Sequence, residues 1–150
     1  TLAKFVIIGT PAAFLWLMVL STLGGSPPDI TWTGFVQEYA IDPVGVVSDL
    51  SILAALFATP SLVAGAVFLA LPSETADRWQ KFGKSAALFI AVNLAVSLEY
   101  MIFTFHIEPH APSLTAVNVI ATWALASIFI PGPYIGALLA AWWSRTGGRN

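Results

Sequence analysis

The basic residues of this chain occur only at alternate ends of four long apolar stretches. The six Lys and Arg residues are Lys4, Arg78, Lys81, Lys84, Arg145 and Arg149. The segments that join the opposite ends contain acids and histidines but no Lys or Arg. Membrane proteins with several spans keep Lys and Arg in their cytoplasmic loops, so this pattern predicts a polytopic membrane protein with both termini in the cytoplasm.

The composition also points to a membrane. Hydrophobic residues make up 57% of the chain and charged residues 9%, whereas about a quarter of the residues in a soluble domain are charged. A water-soluble fold of this size could not bury so much apolar surface. We therefore predict an all-α integral membrane protein, in which residues 1–150 form one domain. It is a bundle of four transmembrane helices at about 5–23, 46–71, 85–107 and 115–143. The expected location is the inner, cytoplasmic membrane of a bacterium.

The start of the chain affects how the first stretch is interpreted. The sequence begins with Thr1 instead of Met, so we expect a short N-terminal piece to be missing or processed. The first stretch could be taken for a signal peptide. Its flank holds a single Lys, however, and "STLGGS" is a poor cleavage site. We expect it to remain as a helix.

Aromatic residues mark both predicted membrane surfaces. In the first outer segment, Trp32, Phe35 and Tyr39 are spaced so that a short helix would carry them on one face. This helix can lie at the membrane interface with its rings at headgroup depth, or its face can dock another protein or a lipid tail. Near the C-terminus, Trp142 and Trp143 precede a basic residue, which is typical of an aromatic belt at the inner surface.

Small residues four apart recur on three of the predicted helices. The second helix carries two such pairs, the third a run of three alanines and the fourth a run of three small residues. They are Ala54 and Ala58, Ser61 and Gly65, Ala87, Ala91 and Ala95, and Gly132, Gly136 and Ala140. Such stripes let helix backbones approach closely inside a membrane. They do not reveal whether the neighbouring helix belongs to this chain or to another.

Glu99 is predicted to lie deep inside the third helix, about eight residues or roughly 12 Å from its outer end. It continues the alanine stripe, so we expect it to face a packed interface. An intramembrane carboxylate costs about 3 kcal/mol on insertion scales and marks a functional or pairing site. Its role can be a neutral structural hydrogen bond, a contact with a partner subunit, or the handling of an ion or proton. Within the chain, its hydrogen-bond partners could be Asn93, Tyr100, Thr104 or a freed carbonyl.

A second candidate site lies toward the outer surface. His106 is two helical turns from Glu99 on nearly the same face, and Asp49, Glu108 and His110 can join it in an acidic, titratable outer mouth. Alternatively, these side chains collect at the headgroup boundary because water is there. A metal site is not expected, because Pro109 breaks the helical spacing between the two histidines, and two imidazoles with one carboxylate are not a specific pattern.

The segment Pro131-Gly132-Pro133 predicts a bend or break near the middle of the fourth helix. Broken helices in transporters expose carbonyl groups that bind ions. A proline kink is also tolerated without any site when neighbouring groups bond the freed carbonyls, and Ser127 or Thr122 could do so.

The sequence contains no complete site for catalysis. The absence of cysteine excludes disulfides and thiolate metal sites formed by this chain. No histidine lies well inside a span, which argues against ligation of haem or chlorophyll. No phosphate-binding loop, nucleophile–base pair or zinc-binding helix motif is present. Contacts with lipid, quinone or carotenoid need no ligating residue and stay open. The net charge of −2 gives no reason to expect nucleic acid.

Three functions remain in view. The first is a non-catalytic accessory subunit of a larger membrane complex, expected to be respiratory or photosynthetic, whose partners are other integral membrane subunits and lipids. The second is a small oligomeric transporter or channel for protons or cations, which would use Glu99 and the kinked fourth helix. A membrane-embedded chaperone or insertion factor is a third hypothesis.

Overall fold

The computed structural model describes residues 1–25, 32–71, 78–107 and 116–147. These residues are 93% helical and contain no strand. The helices are α1 (Leu2–Leu23), α2 (Trp32–Ile41), α3 (Pro43–Ala70), α4 (Arg78–Ile107), α5 (Ala116–Ser127) and α6 (Pro131–Thr146). Helices α1, α3 and α4 contain stretches long and apolar enough to cross a membrane, and α5 and α6 make a fourth candidate if the bent pair is one span. The all-helical prediction is confirmed, and the candidate spans indicate an integral membrane protein. The orientation of the termini and the four-helix bundle stay predictions.

Helices α3 and α4 both begin before the apolar stretches do. The Asp42 carboxylate caps α3 by accepting a hydrogen bond from the Gly45 amide at 2.9 Å. Pro43 fits the first turn of this helix, where an amide donor has no partner. Helix α4 starts at Arg78 and not near residue 85. Arg, Gln and Lys favour helix formation although they are too polar to count as part of a span.

Small residues allow α1 to approach α3 and α6 closely. Gly132 and Gly136 of α6 are buried against α1, and a Cβ atom added to Gly136 would stand 2.5 Å from the Cα atom of Gly9. On α3, Gly65 lies against the ring of Phe5, which is fully buried. Close approach gains dispersion contacts in a bilayer, where no hydrophobic force drives one helix onto another. The small residues of α6 therefore have their neighbour within this chain.

Basic side chains gather at one end of the molecule. The ammonium group of Lys4 lies 5.0 Å from the centroid of the Trp143 ring, which joins the start of α1 to the end of α6. Lys84 and Arg145 both approach the Phe68 ring, from α4 and α6 respectively. Their convergence agrees with the grouping from which the cytoplasmic side was inferred.

The opposite half of the molecule is less tightly packed. Residues 47–55 of α3 are all exposed in the part of the chain that the structure describes. Among the described helices, α5 contacts only α4, and its less exposed residues are Asn118, Thr122, Ala126 and Ser127. We call residues 47–55 together with α5 the open half. The alanine stripe of α4, in contrast, is turned inward, with Ala91 and Ala95 buried.

A bend of 54° separates α5 from α6 at the predicted position. Residues 128–130 form a tight turn in which each amide bonds the carbonyl three residues earlier, at 3.0 to 3.3 Å. Pro131 follows as the first residue of α6, where its missing amide proton costs nothing. The indole N–H of Trp16, on α1, donates to the Ile128 carbonyl at 2.8 Å. Part of the backbone exposed by the break is thus bonded from a neighbouring helix.

Candidate functional site

Glu99 lies on α4 at the wall of an apolar cavity of about 150 Å³, which we call the Glu99 cavity. Helices α1, α3, α4 and α6 and the turn after α5 all contribute to the wall. The lining residues are Ala13, Leu56, Phe57, Pro60, Val96, Glu99, Tyr100, Phe103, Phe129 and Pro133. Apart from Glu99 and Tyr100, all of these side chains are apolar. A cavity of this size with apolar walls can hold a benzene-sized molecule.

The surroundings of Glu99 are more open than a packed interface. Its side chain is half-buried, whereas Ala95, one turn earlier, is buried. The difference arises because close packing ends here on both helices: from Glu99 to Thr104 no residue of α4 is fully buried, and residues 47–55 of α3 are exposed. Glu99 therefore lies on the same helix face as the alanine stripe but is not buried with it.

Glu99 has a hydrogen-bond partner on the neighbouring helix α3, the side chain of Thr59. The Thr59 hydroxyl also donates to the Ala55 carbonyl of its own helix at 2.9 Å. A hydroxyl carries one proton. That proton can serve the Ala55 carbonyl or the Glu99 carboxyl but not both at once, so the two acceptors compete for it. Pro60 comes next in the chain and leaves the Leu56 carbonyl without its helical donor, so the same wall contains a freed carbonyl.

Asn93, a predicted partner of Glu99, takes part in a different network. Its side-chain amide donates to the hydroxyl of Ser127 at 3.2 Å and its carbonyl accepts from Ser97 at 3.3 Å. The Ser127 hydroxyl donates in turn to the Trp123 carbonyl at 2.8 Å. This chain of bonds connects α4 with α5 and the start of the turn. Asn93 is buried and lies six residues before Glu99, so the two side chains project from different faces of the helix.

The predicted outer mouth lies largely beyond the described residues. Asp49 is exposed on α3. His106 is in the last turn of α4, with a side chain outside the description, and Glu108 and His110 fall outside the described residues altogether. Within the described part of the chain, no three His, Cys, Asp or Glu side chains are close enough to hold a metal ion. The mouth stays a prediction.

The other predicted residues occupy different parts of the fold. Helix α2 forms where the aromatic spacing predicted a short helix, and its Tyr39 is exposed; the side chains of Trp32 and Phe35 fall outside the description. Trp142 and Trp143 are exposed at the basic end. Of the three residues at the helix break, only Pro133 lines the Glu99 cavity, whereas Gly132 packs against α1.

Two residues that matter for the site were not identified from the sequence. Thr59 contacts Glu99, and its position directly before Pro60 on an adjacent span was the only available signal. Trp16 bonds the carbonyl at the helix break, a role that was assigned to Ser127 or Thr122. Ser127 bonds the Trp123 carbonyl instead, within its own helix.

The site combines one carboxyl, one hydroxyl and a ring-sized apolar space. It can maintain a neutral hydrogen bond between helices, hold an apolar molecule, or exchange a proton at Glu99. Among its described lining residues, the titratable side chains are Glu99 and the phenol of Tyr100. Comparison of the chain with family models, with curated proteins and with solved structures gives no match.

Proposed function

We propose that this protein is a small non-catalytic subunit of a larger membrane complex, and that its open half packs against helices of other subunits. The observation that carries the proposal is the exposure of residues 47–55 on every side of α3. This segment contains Ser48, Asp49 and Ser51 among apolar residues. Polar side chains facing lipid are unfavourable, so neighbouring helices would stabilise the segment.

The use of the small residues supports the same proposal. Those of α6 pack against α1, and Ser61 and Gly65 of α3 are also buried against α1. Ala54, which begins the first pair on α3, is exposed. A small residue that the described helices leave uncovered is suited to close contact with a helix of another chain.

The direct test is gentle detergent extraction of native membranes, followed by size separation with absorbance recorded across the visible range. We expect the chain to migrate with a large complex. The same fractions report the class of that complex, since haems or photosynthetic pigments would colour them. Migration as a colourless species of one to a few copies would overturn the proposal.

A matched pair of variants tests the proposed surface. In Ala54→Phe, a large ring is added to the open half, and recovery of the complex should fall. Ala66→Phe adds the same ring to an exposed position of the same helix, nearer its basic end, and recovery should be retained. Equal recovery of the complex with both variants would contradict a partner contact at the open half.

A small oligomeric transporter is the second candidate, because Glu99 and Pro133 line the same cavity. The substitution Glu99→Gln distinguishes the two functions. For a transporter, it should abolish proton or cation flux into proteoliposomes while assembly survives. For an accessory subunit that uses Glu99 as a contact, it should weaken recovery of the complex, and the wild-type protein should show no flux.

A further inference from the structure

A second cavity, of about 260 Å³, lies at the basic end between α4 and α6. Its lining includes the cationic side chains of Lys81, Lys84 and Arg145 together with apolar ones such as Phe68 and Leu88. The cavity therefore combines positive charge with an apolar wall. It is separate from the Glu99 cavity, with which it shares no lining residue.

Two of these cations lie against the same aromatic ring. The Lys84 ammonium group is 5.5 Å from the Phe68 ring centroid, and the central carbon of the Arg145 guanidinium group is 5.8 Å from it. The ring stabilises each cation, but the two like charges repel each other. Among the described residues no carboxylate forms an ion pair with either. In the sequence, six basic residues stand on this side against the two acids Glu74 and Asp77. An anion in the cavity would relieve the repulsion.

The apolar part of the lining indicates which class of anion the cavity would bind. Leu138 and Trp142 line the cavity and are also exposed on the outside of α6, so the site continues onto the surface that would face lipid. Basic pockets between transmembrane helices on the cytoplasmic side bind lipid headgroups. We propose that this cavity binds the phosphate of an anionic phospholipid, with Lys81, Lys84 and Arg145 around the headgroup and an acyl chain along Leu138 and Trp142. This inference is independent of the proposed accessory role.

The test counts bound lipid by native mass spectrometry of the full-length protein after delipidation and addition of phosphatidylglycerol or phosphatidylcholine with matched chains. We expect phosphatidylglycerol to bind at least tenfold more tightly. The double variant Lys84→Gln/Arg145→Gln should weaken this binding by roughly thirtyfold, since each basic residue near a membrane surface is worth about a fivefold change. Lys4→Gln is the matched control: it removes a charge at the same end but outside the cavity, and should change binding less than about twofold.

Several outcomes would overturn the proposal. The first is equal binding of phosphatidylglycerol and phosphatidylcholine by the wild-type protein. This comparison tests the proposal even if the double variant does not fold. A fivefold loss in Lys4→Gln, which is the loss expected for each residue of the double variant, would show that only the general charge of this end matters. The charge-retaining variant Lys84→Arg/Arg145→Lys should keep the preference, and its loss would contradict recognition by charge. Displacement of phosphatidylglycerol by millimolar inorganic phosphate would assign the site to free phosphate.

Discussion

The close approach of α6 to α1 makes a quantitative prediction for Gly136→Ala. The added Cβ atom would lie 2.5 Å from Gly9 Cα, 3.0 Å from Ala12 Cβ and 3.1 Å from Gly9 N. Two of these three atoms belong to the backbone of α1 and cannot rotate away. Ordinary contact begins at 3.4 Å, so α6 has to move by 0.9 Å or distort.

The expected cost follows from two opposing effects. Inserting a methyl group into a well-packed contact costs about 1–3 kcal/mol, whereas replacing glycine by alanine in a helix gains up to about 1 kcal/mol. With a gain near 1 kcal/mol, Gly136→Ala should lower the free energy of unfolding by up to about 2 kcal/mol, and should be about 1–3 kcal/mol less stable than a variant that makes the same gain without a clash. Gly83→Ala is the control, because a Cβ atom at this position of α4 meets nothing within 4 Å. It should be neutral or stabilise the protein by up to about 1 kcal/mol.

Unfolding in mixed micelles of mild detergent and dodecyl sulfate, followed by tryptophan fluorescence, measures both variants on the same scale. The reasoning is refuted if Gly136→Ala and Gly83→Ala unfold within about 0.5 kcal/mol of each other, a difference typical of substitutions that disturb no packed contact. That result would mean that α1 and α6 are not in backbone contact, and the small residues of α6 would then be available to another chain.

Three further predictions concern the polar groups. Trp16→Phe removes the donor to the carbonyl at the helix break and should lower the free energy of unfolding by about 1 kcal/mol in the same micelle assay; an unchanged value contradicts that bond. A double-mutant cycle of Asn93→Ala and Ser127→Ala should give a coupling energy of about 0.6 kcal/mol, the average for hydrogen bonds between membrane helices, and strict additivity would exclude their bond. An apolar carbodiimide should modify Glu99 in the isolated chain and less in the assembled complex, as read by peptide mass spectrometry; equal labelling argues against a partner near this residue.

The sequence was sufficient to predict the elements that depend on local properties. Apolar length determines the candidate spans, and the two prolines around Gly132 determine where α5 gives way to α6, because proline cannot donate its backbone amide. The early start of α4 was missed because Arg78, Gln80, Lys81 and Lys84 are polar. A membrane-based criterion assigns such residues to loops although they favour helix. A criterion based on helix propensity would have found it.

Contacts between helices could not be predicted in the same way. The glycines of α6 indicate that some backbone approaches, but nothing in their spacing identifies α1 as that backbone. Likewise, the bond between Glu99 and Thr59 depends on the relative height and rotation of α3 and α4. A difference of one residue in rotation, about 100°, would turn Thr59 away from Glu99. Small-residue stripes and buried acids indicate which helix faces are covered. The three-dimensional structure is needed to identify the helix that covers each of them.

Glu99 and Thr59 both lie where close packing ends, and this position connects the site with the proposed function. On α4, the mostly buried run from Leu88 to Ser97 ends just before Glu99, and on α3 the exposed segment ends a few residues before Thr59. A helix that covered the open half would therefore also close the Glu99 cavity and remove the carboxyl from its half-exposed state. Because a buried charge without a partner is costly in a bilayer, such a helix must either bond the carboxyl or keep it neutral. Under the proposed function, assembly and the state of Glu99 are coupled through the same surface, so a change at either one should be measurable at the other.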